Sequence, residues 1–265
     1  MERHRAAARP MSHPRPQHEE LDPNLVLRAY AMGVFPMADN RDATGVYWVE
    51  PKLRGVLPLD RFHLSRSLRK TIRADRYRVT TDTAFDAILA LCAQAADDRP
   101  ETWINPAIAH VFSHLHRIGF AHSVEVWDGD RLAGGLYGLA LGRAFFGESM
   151  VSRGRDASKV ALAWLVARLR VGGFGLLDCQ FQTEHLQTMG TVEVPRDDYS
   201  ALLSSALGAS SAGLATGAAS VDADWGALDR LGAAPAFGAA PSLPSTTVSG
   251  PVSGRDIVQL LGQTS

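Results

Sequence analysis

Apolar positions behave differently in the middle of this chain and at its ends. From about residue 22 to 203 they recur at helical or strand spacing, and outside that stretch they thin out. Asp22-Pro23 supplies an N-cap and a proline at the first helical position, so a helix starts there, runs to Met32 and ends at Gly33. Residues 47–49 and 55–57 read as short strands, 64–72 as a short basic helix, 77–80 as a strand and 83–95 as an apolar-striped helix. A further helix covers 106–118 and stops at Gly119. Alternation is clearest at 122–127, then Asp128-Gly129-Asp130 turns and a strand returns over 131–140. Gly142 breaks that run and another strand begins at 144–146. Residues 158–171 read as an amphipathic helix, and the glycines of 172–175 separate it from a short buried strand at 176–179. Helices near His185 and after Pro195 close the region. A meander of antiparallel strands followed by a helix and a strand predicts an α+β or mixed α/β fold.

Composition changes this picture only at the two ends. Residues 1–21 are rich in Arg, His and Pro, lack the apolar stretch of a secretory signal and are expected to be disordered. Residues 204–265 are dominated by Ala, Gly, Ser and Pro, too little apolar surface to offset the entropy of ordering, so a flexible low-complexity tail is expected. Short helices at 222–231 and 254–261 are the exceptions within it. The formal net charge of −1 gives no overall attraction to nucleic acid or membrane, so only local charge can argue for such partners. Cys92 and Cys179, far apart, suit free thiols in a reducing cytosol better than a disulfide framework. No apolar run approaches the roughly 20 residues that span a bilayer. A cytoplasmic, monomeric protein without a membrane partner is expected.

Four ordered blocks carry a more specific signal. They are residues 29–39 (AYAMGVFPMAD); 48–54 (WVEPKLR) with His63-Leu64-Ser65-Arg66-Ser67; 102–105 (TWIN) with 122–127 and 134–138 (GGLYG); and 147–150 (GESM) with Ala157-Ser158-Lys159 and Asp178-Cys179-Gln180. In this order, and over about residues 22–199, the chain resembles the leucyl/phenylalanyl-tRNA–protein transferase family. The resemblance implies a small N-terminal domain, taken here as 22–62, and a GNAT-like acyltransferase domain, taken as 63–203. It implies transfer of Leu or Phe, with Met as a further donor, from charged tRNA to proteins that begin with Arg or Lys. Such a product is marked for degradation through its new N-terminus. The ester donor is already activated, so neither cofactor nor metal is implied.

Asp178 and Gln180 stand at the end of the short apolar strand, where catalytic side chains of α/β folds are often found. By resemblance they are the catalytic pair, Asp178 orienting the attacking amine or taking its proton and Gln180 holding the substrate carbonyl. A strand-end Asp capping the next helix is the plainer reading of the spacing alone. Glu148 follows the apolar run 144–146, and a carboxylate buried there needs a cation. The family role is to receive the acceptor's basic side chain; an internal ion pair with Arg143 or Arg153 is the alternative. Trp48 and Trp103 match aromatic positions that shape the site for the aminoacyl-tRNA 3′ end, although each alone suits a core. Met150, Phe145 and Leu136 suit either a pocket for the Leu or Phe side chain or plain core packing. Where many family members have Asn, this chain has Thr183, with one polar atom for two.

Charge is concentrated between residues 54 and 78, and Arg66, Arg69, Lys70 and Arg73 share one helical face. That face is either a phosphate-tracking stripe for tRNA or a solvated surface. Arg170-Val171-Gly172-Gly173-Phe174-Gly175 fits the acetyl-CoA loop pattern of acetyltransferases, but its glycines follow a helix rather than start one. An acyl-CoA-dependent acetyltransferase and a non-catalytic tRNA-binding module are the rival readings. His110 and His114 have metal-ligand spacing without an obvious third ligand, and Cys179 reads as a small buried filler rather than a nucleophile.

Overall fold

The first helix begins as its sequence requires: the Asp22 carboxylate accepts from the Asn24 N–H at 2.9 Å, Pro23 occupies N1, and Gly33 leaves the helix at φ 80°. The computed structural model describes residues 20–94, 102–208, 223–231 and 252–262. In chain order these form α1 (Pro23–Ala31), β1 (Phe35–Met37), β2 (Tyr47–Val49), β3 (Leu53–Val56), α2 (Arg66–Arg73), β4 (Arg78–Thr81), α3 (Phe85–Cys92) and α4 (Pro106–Arg117). Then follow β5 (Ala121–Asp128), β6 (Arg131–Leu141), β7 (Ala144–Ser152), α5 (Ala157–Val171), β8 (Leu176–Asp178) and α6 (Glu184–Gln187). The chain closes with β9 (Val192–Pro195), α7 (Arg196–Ala206), α8 (Ala227–Leu231) and α9 (Gly254–Gly262).

β1 and β2 form a small two-stranded sheet, and the other strands form a seven-stranded sheet in the order β4-β5-β6-β7-β8-β3-β9. The neighbours are antiparallel except β7 and β8, which run parallel and are joined by the crossover helix α5. The architecture is therefore α+β with a mixed sheet, as the pattern predicts. One core layer lies between the sheet and α2, α5, α8 and α9; the other lies between the sheet and α1, α3, α4 and α7. β3, grouped by sequence with the small N-terminal domain, sits inside the large sheet between β8 and β9.

Three departures from the sequence pattern have local causes. β1 and β9 are short pieces at sheet margins; β9 is largely exposed, and its apolar alternation covers only three residues before a proline. β7 runs on to Ser152 because it accommodates a bulge: Tyr137 pairs with Ser149 and Gly138 with Gly147, leaving Glu148 as the extra residue. That bulge is where the alternation of apolar residues breaks off. Finally, α5 is buried on nearly every turn rather than along one stripe.

The last difference follows from the C-terminal segment, whose first residues belong to α7 and whose helices α8 and α9 are docked on the core. Trp225 stacks on His122 at 4.3 Å and on Phe145 at 5.4 Å, and its indole donates to Asp82 Oδ2 at 2.8 Å. Leu228 is fully buried, and Asp229 pairs with Arg168 of α5 at 2.6 Å. Composition overlooks these anchors because a few large residues supply the burial within a run of small ones. Residues 209–222 and 232–251, and residues 1–19 of the expected N-terminal tail, lie outside the described residues, whereas Leu21 is buried in the core.

The Arg168–Asp229 pair is buried on both sides, so removing one partner leaves an uncompensated charge. Asp229→Ala is expected to cost about 3–5 kcal/mol in chemical unfolding. A loss below about 1 kcal/mol, the range of an exposed pair, would show that α8 is not held to α5 in this way.

Candidate active site

Arg54 lies in β3, flanked by apolar residues, and is 1 % exposed. A guanidinium there needs a carboxylate, and Asp178, the last residue of the neighbouring β8, provides it. Arg54 Nε donates to both Asp178 oxygens at 2.9 and 3.0 Å, and Nη2 donates to Oδ2 at 2.6 Å. Nη1 donates to the Gly33 carbonyl at 2.8 Å, beyond the end of α1. The guanidinium is sandwiched between the rings of Phe35 at 4.7 Å and Tyr199 at 4.5 Å. The Tyr199 hydroxyl donates to Asp178 Oδ2 at 2.7 Å. Burial, with the Asp178 charge beside it, raises the tyrosine pKa and keeps that proton on the ring oxygen.

One further donor completes the shell of Asp178: the backbone N–H of Gln180 reaches Oδ1 at 2.8 Å. This bond holds Gln180 in a left-handed conformation, φ 54°, which non-glycine residues seldom adopt. The turn is also stitched to β3. Gly55 N donates to Gln180 O at 2.9 Å, and Cys179 N donates to Gly55 O at 2.8 Å. A Cβ on Gly55 would lie 2.9 Å from the Gln182 nitrogen and the Phe181 carbonyl carbon, so only glycine allows the turn this close. The result is that the Gln180 side chain crosses to Glu148, with Nε2 donating to Oε1 at 2.8 Å.

Glu148 arrives from the other side, aimed by the β7 bulge. Burial pushes its carboxyl up to about 8; the Asp178 charge adds to the shift, while Tyr30, Arg54 and Gln180 oppose it. No ion pair among the described residues includes Glu148. Arg143 Nε donates instead to the Gly173 carbonyl at 2.8 Å, and Arg153 Nη2 to Gln94 at 3.0 Å. Tyr30 lies fully buried beside Glu148, and burial raises the pKa of its own hydroxyl.

Glu148 and Gln180 form part of the wall of a cleft of about 970 Å³. It opens where the parallel pair parts: β7 and β8 are paired from Ala144–Leu176 to Phe146–Asp178, after which β8 ends and β7 continues. Leu136 and Met150, cross-strand neighbours, line it together with Trp103, Thr183 and Cys179. Arg153 and Lys159 also line it.

The other sequence candidates fall elsewhere. Asp178 is fully buried behind Gln180 and does not line the cleft. Phe145 lies deeper on its strand, edge-on to Phe174 at 6.4 Å and stacked on Trp225, within the core. Trp48 stands on the small sheet, 37 % exposed and outside the cleft lining. The Thr183 hydroxyl caps α6, accepting from the Leu186 N–H at 3.2 Å. Burial pushes the Cys179 thiol up to about 12, with the Asp178 charge adding, so it stays protonated near neutral pH and is a poor nucleophile. Arg66, Arg69, Lys70 and Arg73 are all exposed on α2, whose Leu68 and Ile72 face the core. The glycine string after α5 spends its N–H groups on the chain itself: Gly172 on Arg168 O at 2.8 Å, Gly173 on Arg170 O at 3.3 Å and Gly175 on Arg143 O at 2.8 Å. His116 Nδ1 bonds to the Ala121 carbonyl at 2.8 Å and its ring stacks on Phe85.

Sequence reasoning missed Arg54 as the partner of Asp178, because it was counted with the basic stretch. An arginine inside a Leu-Arg-Gly-Val-Leu strand was the available signal for a buried cation. Tyr30 and Tyr199 carried no comparable signal.

Comparison with known proteins agrees with the four blocks. The family model for leucyl/phenylalanyl-tRNA protein transferase matches residues 56–204, and that for its N-terminal domain matches 19–52. A leucyl/phenylalanyl-tRNA–protein transferase of Rhizorhabdus wittichii is 61 % identical over 248 residues, covering 92 % of this chain and 99 % of the relative. One from Zymomonas mobilis is 57 % identical over 211 residues, covering 80 % and 76 %. One from Afipia carboxidovorans is 56 % identical over 188 residues, covering 71 % and 83 %. With both family regions matched and identity this high along most of its length, the chain belongs to the leucyl/phenylalanyl-tRNA–protein transferase family.

Proposed function

We propose that this protein transfers Leu or Phe, with Met as a further donor, from charged tRNA to proteins beginning with Arg or Lys. It acts as a cytoplasmic monomer, and its product carries an N-terminal residue that marks it for degradation. An aminoacyl-tRNA donor and a protein acceptor follow from family membership. The observation that carries the finer reading is the Gln180–Glu148 hydrogen bond on the wall of the cleft. It sets an amide beside a buried carboxyl group that has no ion-pair partner among the described residues.

In this reading the acceptor's basic side chain enters beside Glu148, and its α-amine lies against Gln180. With Nε2 committed to Glu148, Gln180 Oε1 is left to accept an amine N–H and orient the nitrogen lone pair. The amine nitrogen attacks the ester carbonyl carbon, a C–N bond forms and the C–O bond to the tRNA breaks. The nitrogen proton ends on the departing ribose oxygen. Asp178 already receives Arg54, Tyr199 and the Gln180 N–H, so its role here is to fix Gln180 rather than to take that proton. Leu136, Met150 and Trp103 suit the donor's apolar side chain, and Arg153 and Lys159 suit the phosphates of the tRNA 3′ end. On α2, the exposed Arg66, Arg69, Lys70 and Arg73 suit the tRNA backbone. Against the acyl-CoA reading stand the glycine-string amides, already bonded within the chain.

Incubation with labelled Leu-tRNA or Phe-tRNA and a protein beginning with Arg is expected to label the acceptor. No label with demonstrably charged tRNA would overturn the reading. Gln180→Ala is expected to lower the single-turnover rate about 10²–10³-fold with acceptor binding little changed, as for loss of one orienting or charge-stabilising group. An unchanged rate would remove Gln180 from the chemistry.

Glu148 gives a pH signature. Its folded-state pKa is raised to about 8, so it is mostly neutral below that pH, whereas a bound cation favours the ionised form. Affinity for an Arg-initiated peptide should therefore rise with pH until about 8, with proton release on binding. A matched peptide beginning with citrulline, neutral but similar in shape, should lack that slope. Glu148→Gln should abolish the slope and cost roughly 10²-fold in affinity for the Arg peptide alone. Equal losses for both peptides would mean that Glu148 does not receive the cation.

A further inference from the structure

We infer that α9 completes an RNA phosphate cleft with α2, so that Arg255 grips the tRNA backbone together with Arg69 and Arg73. This rests on the reading of α2 as a tRNA-binding surface and extends it to a helix beyond the residues matched by the family models.

The two helices are built to stay together. Ile257, Val258 and Leu261 of α9 are buried in the same core cluster as Leu68 and Ile72 of α2. Gly254 N donates to Asp75 Oδ1 at 2.7 Å, just past the end of α2. A Cβ on Gly254 would lie 1.9 Å from the Ile72 carbonyl oxygen, so the helix start can sit this close only as glycine. At the other end, Arg170 Nη1 donates to the Leu260 and Leu261 carbonyls at 3.1 and 3.3 Å. A helix seated at both ends holds its exposed side chains in a fixed relation to α2.

Between them lies a cleft of about 730 Å³ lined by Arg69, Arg73, Arg255, Val258, Gln259 and Gly262. The three arginines are exposed, and none takes part in an ion pair among the described residues. The nearby acids are otherwise engaged: Asp75 accepts from Gly254 N, and Asp256 accepts from Ser253 N at 3.0 Å and its hydroxyl at 2.7 Å. Three like charges around one cleft repel one another, a cost that a polyanion offsets. The chain as a whole carries a formal charge of −1, so the cluster is not the overflow of a basic protein. Guanidinium groups spaced over two helices match successive phosphates of a nucleic-acid backbone better than one carboxylate of a protein.

The test is the salt dependence of tRNA affinity for the full chain. Arg255→Ala is expected to weaken binding roughly five- to tenfold near 0.1 M salt and to flatten the log–log slope by about one unit. Gln259→Arg should steepen it. A slope unchanged in both variants, while Arg69→Glu with Lys70→Glu still flattens it, would overturn the inference and leave the α2 reading standing. If the α2 variant also leaves the slope unchanged, that reading falls and this inference with it. Polyglutamate binding more tightly than tRNA with the same dependence on Arg255 would overturn the choice of RNA.

Discussion

The Arg54–Asp178 ion pair is the interaction on which the arrangement of the site depends. Both groups are removed from water, which costs several kcal/mol for each ion unless geometry and further hydrogen bonds offset it. Here the offset is nearly complete. The guanidinium makes two-pronged contact with the carboxylate, reaches the Gly33 carbonyl and lies between two aromatic rings. The carboxylate uses both oxygens on donors from β3, α7 and the Gln180 turn. The pair thus ties together the end of α1, the β1 segment through Phe35, the centre of the large sheet and the C-terminal part of the domain. The N-terminal segment is therefore a structural part of the site, not an appendage to it.

Two features of the sheet turn that anchor into a cleft. A parallel pair requires a crossover, and α5 provides it between β7 and β8. Because β8 ends at Asp178 while β7 continues, the strands leave a gap that forms part of the cleft. The β7 bulge then directs Glu148 toward that gap, opposite a Gln180 held in an unusual backbone conformation. Each of the two residues that face each other across 2.8 Å carries a backbone irregularity, Glu148 a bulge and Gln180 a positive φ. The carboxyl that results is buried, has no ion-pair partner among the described residues, and is pushed up to about 8 by burial.

Much of this was legible in the chain, for identifiable reasons. Asp22-Pro23 announces a helix through capping chemistry that acts within a turn, and the cap forms. The Asp128-Gly129-Asp130 turn sets the β5–β6 hairpin in the same local way. The residues that escaped notice are governed by contacts distant along the chain. Arg54 has the same charge as its exposed neighbours on α2, and only the strand around it distinguishes a buried guanidinium from a surface one. Tyr199 reaches Asp178 from α7, and Tyr30 reaches Glu148 from α1, contacts that no local spacing encodes. Short helices at 222–231 and 254–261 were legible, but their docking on the core through Trp225, Leu228 and Ile257 was not, since average composition does not register a few well-placed anchors.

In the proposed reaction Asp178 acts through Gln180 rather than as the base. The most direct measurement is the pH–rate profile of single-turnover aminoacyl transfer by Asp178→Asn beside the unaltered protein. A positioning role predicts a lower rate at every pH with both limbs retained, the Glu148 limb moved to lower pH by loss of the Asp178 charge. Loss of one limb of the profile in the variant, together with a fall in the plateau rate of about 10²-fold or more, would contradict it and make Asp178 the proton acceptor.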